Sequence, residues 1–232
     1  IQEFIFRTTA IDSDWTAEHP DWFYWIDKNC KYGQPKFSKS DLELIEKVPT
    51  GNGKYIAPAK SYRSLFKTPP EPGQSDNLRI ASAFADWPPN DVQPPWSDVT
   101  YLRMYQYDLA KANNYNYIAY NTIRYYDPEL AKPEHENTPL WKKITGIIPH
   151  FQENFGIDGA MIDMGHALPE NLKSSIIAKA RGIDHSFAFL DENFDNKPST
   201  KREGYNAVIG DAWYKIKRRN GFKKLILSAL DK

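Results

Sequence analysis

The chain has 232 residues, of which 41% are hydrophobic and 14% aromatic, enough for one substantial core and unlike a disordered segment. Thirty basic and thirty acidic residues cancel, so no global field draws the chain to nucleic acid or to an anionic membrane. The lone Cys30 excludes an internal disulfide framework and a cysteine-based zinc site.

No uninterrupted apolar run reaches the roughly 18 residues of a membrane span, and the first residues do not form a signal peptide, which makes a cytoplasmic location the expectation. "IQEFIFRTTA" begins at once with strand-like alternation, and "GFKKLILSALDK" stops where a further strand is expected. The sequence therefore reads as an internal fragment of a longer protein.

Taken in chain order, residues 1–8 form a first strand. Residues 9–98 carry many prolines, glycines and aromatics without sustained periodicity, as in "KTPPEPG" and "DWPPNDVQPPW". A structureless loop of that length does not suit a compact domain, so this zone is expected to be an irregular insertion with short strands of its own. Residues 99–232 are expected to carry regular α/β units. "DVTYLRMYQYDLAKANN" has helical spacing with Asp98 as a cap, "YNYIAYNTIRYY" fits strand or helix, and "TPLWKKITGIIPHFQENF" fits one helix.

The cleanest pattern follows. "IDGAMIDM" alternates as a strand, "LPENLKSSIIAKARG" has helical spacing with Pro169 at its start and Gly182 at its end, and "HSFAFLDENF" alternates again. A β-α-β unit of this kind needs a parallel sheet, and parallel sheets place ligands at the carboxyl ends of their strands. Asp163 and Glu192 occupy those ends, 29 residues apart (163 to 192), the length of one loop, one crossover helix and one strand.

Two carboxylates side by side at such an edge are what cleavage of a glycosidic bond requires. One attacks the anomeric carbon and the other protonates the leaving oxygen, with about 5 Å between them in the retaining geometry. Strand-end acids also cap helices or pair with cations, and spacing alone does not choose between these roles.

The flanking residues add a resemblance. "GIDGAMIDMGHALP" resembles the fourth-strand motif of the α-amylase superfamily, and "FAFLDENFD" resembles its fifth-strand motif. "EHPDWFYWI" (18 to 26), "DMGHALP" (163 to 169) and "GYNAVIGDAWY" (204 to 214) are similar to segments of the maltosyltransferases that act on α-1,4-glucans. The resemblance implies a partial (β/α)8 barrel, about strands three to six, interrupted after the third strand by the irregular insertion. It implies Asp163 as nucleophile, Glu192 as general acid/base and His166 as a contact to a sugar hydroxyl. An α-glucan or maltooligosaccharide is the implied substrate, with glycosyl transfer or amylase-type hydrolysis as the reaction. "IQEFIFRT" aligns with the third-strand motif, with Glu3 in place of its Asp and Arg7 and Thr8 where Asn and His are usual. The superfamily's third acid, at the end of the seventh strand, has no counterpart in the chain.

One departure stands inside the motif. Where the family carries Arg two residues before the nucleophile, this chain has Met161, and the period of two in a strand turns Met161 to the same side as Asp163. Either the site is catalytically silent and only binds glucan, or another cation, with Arg7 as the candidate, takes over the role; the retained carboxylates favour the second. Among the aromatics, Trp87 and Trp96, set among prolines, are the candidate sugar platforms, and most of Trp15, Trp22, Phe23, Tyr24 and Trp25 are expected in a core. His19, His135, His150 and His185 show no metal-ligand spacing, no EF-hand loop supports a calcium site, and no cofactor motif exists. "KIKRRNG" (215 to 221) reads as a solvated helix end. Oligomeric state is not encoded in any of these features.

Overall fold

The computed structural model describes residues 1–30, 66–75, 77–83, 98–107, 131–193 and 202–209, together with the backbone of 117–118 and 124–125. It is mixed α/β and falls into two units, one made of Ile1–Phe4 with Ile148–Lys232 and the other of Ile5–Ile147.

The first unit is built on a parallel four-stranded sheet in the order β1 (Gln2–Phe4), β9 (Gly159–Ile162), β10 (Ala188–Glu192), β11 (Ala207–Ile209). Alternation along these strands separates two faces. Phe4, Ala160, Ile162, Phe189 and Asp191 are buried, whereas Met161, Leu190 and Glu192 are half-exposed and Glu3 is exposed. The buried face is covered by helices. Phe4 meets Phe151 of α3 (Ile147–Phe155) edge-on at 5.1 Å between ring centroids. α4 (Glu170–Ile183) turns Leu172, Ile176, Ile177 and Ala180 inward, and Gln152 of α3 donates to the Ala180 carbonyl at 3.1 Å.

Arg181, late in α4, donates to the carbonyls of Phe187 and Gly204 and to the Asn206 side chain, and its guanidinium lies 5.5 Å from the Phe189 ring centroid. One long cation thereby ties the helix to β10 and to the segment before β11. Lys173, itself buried, pairs with Glu203 on the same segment.

β1 ends at Phe4, and Thr8 belongs to β2 (Thr8–Ala10), which runs antiparallel to β6 (Val99–Tyr101) in the second unit. The single strand expected over residues 1–8 is therefore two strands of different sheets. The helix expected from Asp98 is also corrected: residues 99–101 are strand. Thr100 donates through its hydroxyl to the Ala81 carbonyl at 2.8 Å, and Leu102 bridges to Phe23. The β-branched and aromatic run Val99-Thr100-Tyr101 suits a strand, and its partners lie far away in sequence, where periodicity does not register them.

The rest of the second unit includes α1 (Asp14–Glu18), a 3-10 turn at Pro20–Trp22, and β3 (Trp25–Asp27) between β4 (Phe66–Lys67) and β5 (Leu78–Ile80), antiparallel to both. β7 (Tyr117–Ile118) and β8 (Arg124–Tyr125) pair antiparallel, so the ambiguous aromatic segment forms strands. The helix expected over 138–155 is two helices, α2 (Thr138–Thr145) and α3. Pro149 has no N–H to offer the Thr145 carbonyl, which removes one bond from the ladder at that point. α2 is capped by the buried Asn137, whose side chain accepts from the Leu140 N–H and donates to the Arg103 carbonyl. Gly156, at φ +61, ends α3 in the left-handed conformation that glycine adopts without cost.

Candidate functional site

The carboxyl ends of β9 and β10 carry the two candidate acids. The Asp163 N–H donates to the Phe4 carbonyl at 2.9 Å, so its backbone is held by the neighbouring strand although β9 itself ends at Ile162. The ladder pairs Asp191 with Ile162, and one further step sets Glu192 beside Asp163. Residues paired across a parallel ladder share a face, and adjacent strands lie about 4.8 Å apart. Asp163 and Glu192 thus leave neighbouring backbones on the half-exposed face, the face that also carries Met161 and Leu190. Glu3 pairs with Met161 and belongs to the same face.

A tight turn joins the two acids. Met164, directly after Asp163, has φ 49 and ψ 43, a left-handed conformation that costs a non-glycine residue about 1 kcal/mol or more. Its N–H donates to Glu192 Oε2 at 3.1 Å. The peptide group following Asp163 therefore grips the Glu192 carboxylate, and the strained residue is the one that makes the contact. A 3-10 turn at Gly165–Ala167 follows and brings His166, 8% exposed, to the same place. His166 Nδ1 lies 3.3 Å from the Glu192 carbonyl oxygen, a hydrogen bond that places the proton on Nδ1.

Beneath the acids lies a group that the sequence reading missed. Asp191 is fully buried and accepts from Asn193 Nδ2 at 2.9 Å. A side chain added to Gly165 would put its Cβ 1.9 Å from Asp191 Oδ1, so this carboxylate is packed directly against the turn that carries His166. The available signal was alternation: Asp191 has the parity of Phe189, which turns an acid toward the core. Tyr205 closes the same region, and burial, then the Asp191 and Glu203 carboxylates, push its phenol far above its ordinary value of 10.0.

That shift has a consequence for stability. Above about pH 10 the phenol ionises in the unfolded chain but not in the folded one, so the unfolded state binds fewer protons and stability falls as pH rises. Denaturant midpoints are expected to drop between about pH 8 and about pH 11, and Tyr205→Phe should shrink the drop. Equal slopes for the two proteins would contradict the assignment.

The other candidates are placed as follows. Arg7 is not on the strand beside β9; it follows β1 and precedes β2, is 4% exposed, and its guanidinium carbon lies 5.8 Å from the Tyr101 ring centroid. Trp87 and Trp96 lie outside the described residues, as do 210–232, which include "KIKRRNG". Trp22, Phe23, Tyr24 and Trp25 are core residues, and His19 stacks on Trp22 at 3.8 Å. Among the described residues no group of three or more His, Cys, Asp or Glu could hold a metal ion, and no helix is long and apolar enough to cross a membrane.

No family model matches the chain, and no curated protein does. Among solved structures the chain is similar to an α-amylase from Anoxybacillus, at 12% identity and a TM-score of 0.41. The match covers 93% of this chain and 30% of that one, so the chain spans under a third of the amylase's length.

Proposed function

We propose that this chain is part of a retaining enzyme acting on α-1,4-glucans, with the barrel, substrate and residue roles that the sequence motifs imply. The supporting observation is the register of β9 and β10, which sets Asp163 and Glu192 side by side at the carboxyl ends of parallel strands, with Met164 gripping Glu192. In the first step an Asp163 oxygen attacks the anomeric carbon, and the glycosidic C–O bond breaks with its electrons passing to the leaving oxygen. Glu192 protonates that oxygen. In the second step Glu192 takes the proton from an acceptor hydroxyl, which attacks the glycosyl-Asp163 ester and frees the carboxylate.

A sugar acceptor makes the reaction a transfer, of a maltosyl unit in the reading the motifs favour, and water makes it hydrolysis. Incubating the intact protein with maltooligosaccharides separates the outcomes. Products shifted by a fixed unit support transfer, and maltose or glucose alone supports hydrolysis. The second reading, a silent glucan-binding protein, is favoured by Met161 and predicts binding with unchanged chain lengths.

A further inference from the structure

We propose that a pocket of about 650 Å³ on the Ile5–Ile147 unit binds a neutral polyhydroxylated ligand, a short saccharide by chemical class, with Arg103 as its central donor. Its walls come from the 3-10 turn at Pro20–Trp22, the segment after β4 and the segment after β6. Arg103 is 3% exposed, and among the described residues its guanidinium meets no carboxylate. One terminal nitrogen donates to the Tyr107 carbonyl, the guanidinium carbon lies 5.0 Å from the Tyr107 ring centroid, and among the described residues Nε has no hydrogen-bond partner. Arginines are rarely this buried without a counter-charge, and among the described residues a single carbonyl serves the five guanidinium N–H groups, which leaves donor capacity at the pocket wall.

The rest of the lining selects the ligand. Glu18, Asp21, Glu71 and Glu134 oppose the single guanidinium, so an anion is repelled. An organic cation would meet Arg103, which already covers Tyr107. A sugar satisfies both sets: its hydroxyl oxygens accept from Arg103 and its hydroxyl protons go to the carboxylates. Pro69, Pro70 and Pro72 supply apolar walls for C–H faces, and Asp21 is held in place by the Gln106 amide. The volume lies in the range of small-molecule sites.

This chemistry is read from the pocket; only the choice of a maltooligosaccharide as probe rests on the proposed reaction. Titration calorimetry of the intact protein carrying Asp163→Asn, which blocks turnover, with maltotriose is expected to show binding that Arg103→Lys weakens about tenfold by removing the planar fork. The exposed pair Glu71→Gln with Glu134→Gln, which leaves the buried Arg103 in place, should weaken it at least about threefold. A second class of maltotriose binding that survives these changes belongs to the carboxylate site, so the two assignments fail separately. Maltotriose affinity unchanged in both variants overturns the proposal, as does binding of inorganic phosphate or spermidine that these variants abolish.

Discussion

Replacing Asp163 by Asn, or Glu192 by Gln, is expected to lower turnover of maltooligosaccharides by about 10³-fold or more. The amide at position 163 cannot form the ester, and the amide at position 192 cannot give or take the proton. Stability should move by less than about 1 kcal/mol, since both positions are half-exposed and Gln still offers an oxygen to the Met164 N–H. The two variants should differ in one respect. A donor whose leaving group departs without a proton bypasses the acid, so Glu192→Gln recovers its first step on such a donor and Asp163→Asn does not. Equal losses on both donors would mean that the two acids do not divide the work as proposed.

Gly165→Ala is expected to be the most destabilising single methyl in the site. Its Cβ would sit 1.9 Å from Asp191 Oδ1 and 3.0 Å from the Tyr205 hydroxyl oxygen. Asp191 is short, fully buried and tied to Asn193, so it cannot swing aside without breaking that bond. The glycine is required for space rather than for its backbone angle. A loss of about 3 kcal/mol in denaturant unfolding is expected, with turnover falling as well because the turn carrying His166 must shift. A loss under about 1 kcal/mol would show that the turn yields easily and that Asp191 does not fix it.

The central β-α-β unit was legible because local rules agree there. Alternation in "IDGAMIDM" and "FAFLDE" and helical spacing between them each point to the element that forms, and together they placed both acids at one sheet edge. The strand at 99–101 is not legible in its own segment because it and the adjoining Leu102 pair with residues near Thr8 and Phe23, and non-local pairing leaves no periodic trace. Pro149 marks the split between α2 and α3, since it has no N–H for the Thr145 carbonyl. Met164 was invisible for a different reason: a left-handed methionine is imposed by the turn and by Glu192, and nothing in its own side chain announces it. Asp191 could have been found, since an acid at a core parity is an anomaly that alternation exposes.

The glycosyl ester on Asp163 can be sought directly. The intact protein carrying Glu192→Gln, mixed with α-maltosyl fluoride, should form the glycosyl-enzyme, because fluoride leaves without the acid, and should release it slowly, because the base is gone. Mass spectrometry of the digested protein is predicted to find one maltosyl group on the peptide that contains Asp163, and none when Asp163→Asn is added. A sugar attached elsewhere, or fluoride released at the parental rate with no adduct at any time, would exclude Asp163 as the nucleophile.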